Sequence, residues 1–209
     1  MNNKDKDNDI VLHLYLLDKC THHCPDCCNK LYDISKLENV SVELLSKAKT
    51  ICFTGGEPFY VNGIDKLACR IKIQYPNIEH IYAYTAGEMF YKYLNSGGTL
   101  NYIDGVSIAP KSLYDMKCMN NAFVEYKDIL QRLKTNRIML FNNMNDLFDE
   151  TCINGYDNIM ILGRNWDKKF STPINEIFCR LPILYWQIVL TTCIDKLYWQ
   201  IVLVSNTNL

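Results

Sequence analysis

The sequence lacks an excess of charge, a secretion signal and an unbroken hydrophobic run of membrane-spanning length. Its 22 basic and 23 acidic residues give a net charge of -1, so bulk electrostatics predicts no nucleic-acid partner. Residues 1–9 are polar, unlike a signal peptide, and are predicted to form a disordered tail. The apolar run 181–204 is interrupted by Asp195 and Lys196, and each half is too short to cross a bilayer. These absences predict a cytoplasmic protein with no membrane partner.

Cysteine, by contrast, is abundant, with ten residues in a chain of 209. In the absence of a signal peptide, disulfide bonds are the weaker explanation, and metal or cluster binding together with some buried thiols is the stronger one. Three cysteines are closely spaced, because Cys20, Cys24 and Cys27 lie in the run Cys-Thr-His-His-Cys-Pro-Asp-Cys. Thiolates bind zinc, copper(I) and iron–sulfur clusters. This loop is therefore the first candidate site.

The spacing of these three cysteines is compatible with two kinds of metal site. A structural zinc site usually takes four protein ligands, and His22 or His23 could complete one around the thiolates. Three cysteines on a cubane iron–sulfur cluster would instead leave one iron without a protein ligand, open to a substrate or cofactor. The spacing alone does not choose between zinc and a cluster.

Segments typical of strands alternate with segments typical of helices along the chain. This alternation favours parallel strands joined by right-handed helical crossovers. Six strand–helix units fall short of the eight of a full barrel, so the predicted fold is α/β, a partial (β/α)6 TIM-like barrel of parallel strands with outer helices. Hydrophobic runs predict strands over 10–17, 51–54, 78–85, 105–109, 137–141 and 158–162. Apolar periodicity predicts helices over 42–48, 64–71, 88–94 and 122–133.

The barrel domain is assigned to residues 10–180, and residues 181–209 to a C-terminal extension. In this extension the segment Leu-Tyr-Trp-Gln-Ile-Val-Leu occurs twice, at 184–190 and again at 197–203. Two copies are too few for a solenoid. A duplication with no dedicated role is favoured over a hairpin that closes the barrel or docks a partner.

A second motif, Gly55-Gly56-Glu57-Pro58, follows the predicted strand 51–54. In parallel α/β folds the chemistry lies at the carboxyl ends of the strands, and both this turn and the cysteine loop fall at such ends. Glycines at 55 and 56 would let the backbone approach a ligand without a Cβ clash. Glu57 is expected to orient the turn, and Pro58 to fix its exit.

Together the two motifs resemble those of the radical S-adenosylmethionine enzyme superfamily, over residues 10–165. The spacing of Cys20, Cys24 and Cys27 is similar to the signature loop of that family, and the glycine turn is similar to its methionine-binding turn. The resemblance implies a [4Fe-4S] cluster on the three cysteines, with S-adenosylmethionine chelating the fourth iron. It further implies that one electron from the cluster cleaves this cofactor to a 5'-deoxyadenosyl radical, which abstracts hydrogen from a substrate.

The resemblance also implies roles for other residues and partners. The turn Gly55 to Pro58 would bind the methionine moiety of S-adenosylmethionine. The ribose and carboxylate of this cofactor would be met by polar residues at the ends of later strands, namely Thr85, Ser107 and Lys111. The usual adenine motif of the family is not recognisable in 138–143, so the adenine contacts are not assigned. An oxidoreductase or lyase of this kind implies a one-electron donor such as flavodoxin or ferredoxin.

Two weaker resemblances concern the reaction. The run Cys-Pro-Asp-Cys-Cys-Asn-Lys is similar to the loop of activases that make a glycyl radical on a partner protein, whereas 106–111 is loosely similar to 7-carboxy-7-deazaguanine synthases. The activase is favoured, which makes a protein glycine the expected substrate and a small molecule the alternative. A zinc- or cluster-binding module without enzymatic activity is the rival of a different class, and the glycine turn argues against it.

Overall fold

Seven parallel strands form one open sheet in the computed structural model, which describes residues 9–22, 24, 27, 34–164 and 175–182. The spatial order is β6-β5-β4-β3-β2-β1-β7. All six neighbouring pairs are parallel, and within the described residues the two edge strands do not pair with each other. The strands are β1 (Ile10–Tyr15), β2 (Ala48–Thr54), β3 (His80–Thr85), β4 (Gly105–Ile108), β5 (Thr135–Phe141), β6 (Ile159–Arg164) and β7 (Glu176–Arg180).

Within the described residues, five α-helices lie between the strands. They are α1 (Val42–Lys47), α2 (Ile64–Gln74), α3 (Glu88–Asn95), α4 (Leu113–Glu125) and α5 (Lys127–Leu130). Short 3-10 turns occupy Ile34–Lys36, Pro58–Tyr60, Asn142–Leu147 and Glu150–Ile153. Ser41 caps α1 as its sequence position predicts, because its hydroxyl accepts a hydrogen bond from the Leu44 N–H at 3.1 Å.

The hydrophobic core joins the helices to one face of the sheet. Side chains alternate between the two faces of a strand, and in β3 and β5 the residues that point to this core face are buried while their neighbours are half-buried. The core therefore covers one face, and the other face carries polar side chains. The largest fully buried core residues include Leu12, Leu14, Ile51, Phe53, Ile81, Phe90, Ile108, Met119 and Phe123.

The α/β class and the six predicted strands are confirmed, but a seventh strand was not predicted. β7 lies beside β1, on the side away from β2, with Val11 opposite Glu176 and Tyr15 opposite Arg180. Its sequence Glu-Ile-Phe-Cys-Arg is short and begins and ends with a charged residue, so it lacks the continuous apolar run of a buried strand.

The single helix predicted over 122–133 is wrong. α4 begins much earlier, where the Ser112 hydroxyl accepts a hydrogen bond from the Asp115 N–H at 3.1 Å, and it ends at Glu125. Tyr126 then has φ -114 and ψ 30, which is outside the helical region. The apolar stripe continues across this break because Leu130 and Leu133 still pack into the core.

No described helix is both long and apolar enough to cross a membrane. The predicted tail 1–9 and extension 181–209 lie outside the described residues except for Asp9, Leu181 and Pro182. The duplicated heptapeptide is therefore outside them entirely.

Candidate functional site

The glycine turn is hydrogen-bonded to the start of the cysteine loop at the carboxyl ends of β1 and β2. The Glu57 N–H donates to the carbonyl of Lys19 at 2.8 Å, and the Leu16 N–H donates to the carbonyl of Thr54 at 3.0 Å. Lys19 directly precedes Cys20. The two sequence motifs therefore share one edge of the sheet and are held together by backbone contacts.

Gly55 and Gly56 are both required by packing within the chain. Both have positive φ, 83 and 34. A Cβ on Gly55 would lie 2.3 Å from the ring of Tyr15, and one on Gly56 would lie 2.2 Å from the carbonyl oxygen of Lys19. The contact of this turn with a ligand stays a prediction.

Glu57 is buried, with only 2% of its surface exposed, and it connects the turn after β2 to the end of β3. Its carboxylate accepts hydrogen bonds from the Phe59 N–H at 3.2 Å, the Thr85 hydroxyl at 2.9 Å and the Ala86 N–H at 3.1 Å. Burial outweighs these donors and raises the pKa of Glu57 to about 7. The expected role of Glu57 in orienting the turn is consistent with these bonds.

Thr85 has two hydrogen bonds of its own within this junction. Its hydroxyl donates to Glu57 and accepts from the Gly87 N–H at 3.0 Å, and the residue is buried. These bonds give Thr85 a structural role at the end of β3. Its contact with a cofactor ribose stays a prediction.

The other two polar residues predicted for the cofactor lie at different depths. Lys111 is near the cysteine loop, because its charge lowers the pKa of the Cys24 thiol, and its ammonium lies 3.9 Å from the ring centroid of Phe141. Ser107 is buried within β4, where its hydroxyl donates to the Met139 sulfur at 3.5 Å. The structure therefore brings Lys111, but not Ser107, to the cysteines.

The three cysteines share one electrostatic neighbourhood. Burial raises the pKa of the Cys20 thiol, and the charges of Glu57, Cys24 and Cys27 raise it further, against a hydrogen bond from the His22 N–H. Burial also raises the pKa of Cys24, which Lys111 partly offsets. Without a metal, the raised pKa values hold the Cys20 and Cys24 thiols in the protonated form at neutral pH.

The three cysteine sulfurs are not closely grouped. Within the described part of the chain, the group with three potential ligand atoms mutually within 4.8 Å is His22, Glu88 and Asp115, and the three sulfurs do not form such a group. The choice between zinc and a cluster at the cysteines stays a prediction.

The His22 ring is bonded to α4. Its Nε2 lies 2.7 Å from Oδ2 of Asp115, and its Nδ1 lies 2.9 Å from the hydroxyl of Thr21. The ring is therefore engaged with Asp115, and its role as a fourth ligand of a cysteine zinc site stays a prediction. His23 lies outside the described residues.

A polar cavity on the face of the sheet away from the core was missed by sequence reasoning. It measures about 180 Å³ and is lined by residues of five neighbouring strands and of β7, among them His13, Cys52, Tyr84, Ser107, Arg137 and Glu176. His13 is buried and pairs with Glu176 at 2.9 Å. Strand alternation could have placed His13, Tyr84 and Arg137 on one face, but Glu176 depends on the unpredicted β7.

No protein-family model and no curated protein matches this chain in sequence. A family assignment therefore has no support from comparison. The functional interpretation depends on the residues of the site and on their geometry.

Glu57 is expected to make the stability of the metal-free protein fall as pH rises from about 4.5 to about 7. Below this range both folded and unfolded states hold the proton. Within it the unfolded chain releases the proton first, so rising pH favours unfolding by about 3 kcal/mol in total. Urea unfolding at several pH values measures this.

The matched variant for this measurement is Glu57→Gln, which cannot titrate. Its free energy of unfolding should lack the Glu57 contribution, so the difference between the two proteins should change with pH and level off above about pH 7. Parallel pH profiles for wild type and variant would contradict the raised pKa.

Proposed function

We propose that this chain is a radical S-adenosylmethionine enzyme, with a [4Fe-4S] cluster on Cys20, Cys24 and Cys27. The observation that carries the proposal is the hydrogen bond of 2.8 Å from the Glu57 N–H to the Lys19 carbonyl. It joins the glycine turn to the residue before the first cysteine, so that a ligand held at the turn lies next to the cluster loop.

The donor set fits such a cluster. Three cysteine thiols from one loop share an electrostatic neighbourhood. Burial opposes thiolate formation at Cys20 and Cys24, and a bound metal would supply the positive charge that removes these protons. A zinc-only site would need a fourth ligand, and Nε2 of His22 is bonded to Asp115.

When bound, the cluster would supply the electron that cleaves S-adenosylmethionine to a 5'-deoxyadenosyl radical for hydrogen abstraction from the substrate. The chain itself holds the binding elements in place. Glu57 ties the turn to the end of β3 through Thr85 and Ala86. Lys111 places a positive charge beside Cys24, where a cofactor carboxylate would be stabilised.

The fold is compatible with this function. An open sheet of seven parallel strands, with its core on one face and a polar cavity on the other, is compatible with a partial barrel. We assign residues 10–180 to this enzyme domain. A one-electron donor such as flavodoxin or ferredoxin would complete the reaction.

Anaerobic reconstitution with iron and sulfide tests the proposal. We expect about four irons per chain, a brown absorption, and release of 5'-deoxyadenosine from S-adenosylmethionine on reduction. Tight zinc binding without 5'-deoxyadenosine would instead identify the rival, a zinc module.

Two substrate classes follow from the proposal. Generation of a glycyl radical on a partner protein is the first, from the sequence of the cysteine loop. Conversion of a small molecule is the second, and the polar cavity favours it, because Nε of Arg137 and Nδ1 of His13 have no hydrogen-bond partner among the described residues. The gene neighbourhood separates them: a glycyl-radical enzyme supports the first and a deazapurine pathway the second.

A further inference from the structure

We propose that His22, Glu88 and Asp115 form a binding site for one divalent metal ion, which lies beside the three cysteines but is not formed by them. One imidazole and two carboxylates meet there, and one potential ligand atom from each residue lies within 4.8 Å of the other two. Nitrogen and oxygen donors of this kind bind divalent first-row ions. This site does not depend on the proposed radical chemistry.

Asp115 gives the strongest indication of a missing cation. The residue is fully buried, and its Oδ2 accepts hydrogen bonds from the Ser112 hydroxyl at 2.8 Å and the Lys111 N–H at 3.2 Å, besides its contact with His22. Its Oδ1 is buried and has no hydrogen-bond partner among the described residues. A buried carboxylate oxygen without a donor is costly, and a metal ion would satisfy it.

Helix capping explains only part of this arrangement. Asp115 lies in the first turn of α4, where an acidic side chain is favoured by the helix dipole, and Ser112 provides the cap. Capping accounts for the bonds of Oδ2. It does not account for the unpartnered Oδ1, nor for the approach of His22 and Glu88 from two other strand–helix connections.

Glu88 can be recruited at low cost. It is the first residue of α3 and contacts the ammonium of Lys92 at 2.6 Å, in a pair whose lysine side chain is 51% exposed and whose glutamate side chain is 16% exposed. Because the lysine of this i,i+4 pair is solvated, the pair is weak, and a divalent ion can displace the lysine. The two carboxylates would then neutralise both charges of the ion.

The ligand set indicates the class of metal. Carboxylates suit manganese and magnesium, imidazole suits zinc and iron, and the absence of a sulfur donor from the group makes copper(I) a poor match. A mixed set of one nitrogen and two oxygens therefore indicates manganese(II), iron(II) or zinc(II).

Manganese(II) is the best probe because thiolates bind it poorly, so the cysteines do not compete. The full-length protein, stripped of metal by chelation and without a reconstituted cluster, is titrated with Mn²⁺, and unbound Mn²⁺ is followed by electron paramagnetic resonance. We expect one bound ion per chain. Glu88→Gln and His22→Gln should each weaken binding at least about tenfold.

Two matched variants serve as controls. Glu79→Gln removes an exposed carboxylate that, like that of Glu88, pairs with a lysine, and it should leave Mn²⁺ affinity unchanged. Cys24→Ala should also leave it unchanged. Circular dichroism of each variant verifies folding, which matters most for Asp115→Asn because Asp115 is fully buried.

The inference is overturned if no Mn²⁺ binds, or if Glu88→Gln and His22→Gln bind it as tightly as the wild type. Loss of binding in Cys24→Ala would also overturn it, since the ion would then belong to the cysteine loop. Release of 5'-deoxyadenosine is measured separately after reconstitution, so the failure of either proposal is recognised without the other.

Discussion

Replacing Cys24 with alanine is expected to abolish both the iron–sulfur chromophore and the release of 5'-deoxyadenosine. Cys24 is the central residue of the three, and its thiol interacts electrostatically with Cys20, Cys27 and Lys111. With two thiolates left, the cluster loses a ligand that neighbouring oxygen or nitrogen atoms replace poorly. Iron content should fall from about four per chain towards zero.

Cys69→Ala is the matched control for this experiment. Cys69 is a half-buried cysteine of α2, far along the chain from the loop. Its variant should keep iron content and 5'-deoxyadenosine yield within about twofold, as expected for a distant, independent site. A Cys24→Ala protein that retains four irons and cleaves S-adenosylmethionine would refute the assignment of the loop.

Gly56→Ala is expected to destabilise the protein by about 3 kcal/mol or more. The new methyl group would lie 2.2 Å from the carbonyl oxygen of Lys19 and 2.7 Å from that of Leu17. Both are backbone atoms, so the turn and the loop would have to separate. Urea unfolding measures the loss, and the hydrogen bond between Glu57 and Lys19 should weaken with it.

Gly97→Ala separates crowding from backbone strain. Gly97 also has positive φ, 82, but no atom lies within 4 Å of the position that a Cβ would take. Only the strain of about 1 kcal/mol remains there. If both alanine variants lose the same stability, close packing between the turn and the loop is not what requires glycine at position 56.

Local patterns predicted most of the secondary structure because the first six strands and three of the helices bury faces that are recognisable in short windows of sequence. Ile10–Tyr15 and His80–Thr85 are examples in which strand length and apolar content agree. The start of α4 was missed because Leu113 and Tyr114 are exposed and add little to an apolar stripe. β7 was missed because its place is decided by a partner more than 160 residues away.

The sequence by itself determined the two motifs of the site, since the cysteine spacing and the glycine turn are local features whose chemistry is contained in a few adjacent residues. Tertiary structure decided what lies beside them. Only the packing of β1 on β2 shows that the glycines accommodate Tyr15 and Lys19, and that His22 meets Asp115 across 93 residues of chain. Such contacts depend on strand order and on the depth of burial, which no local pattern encodes.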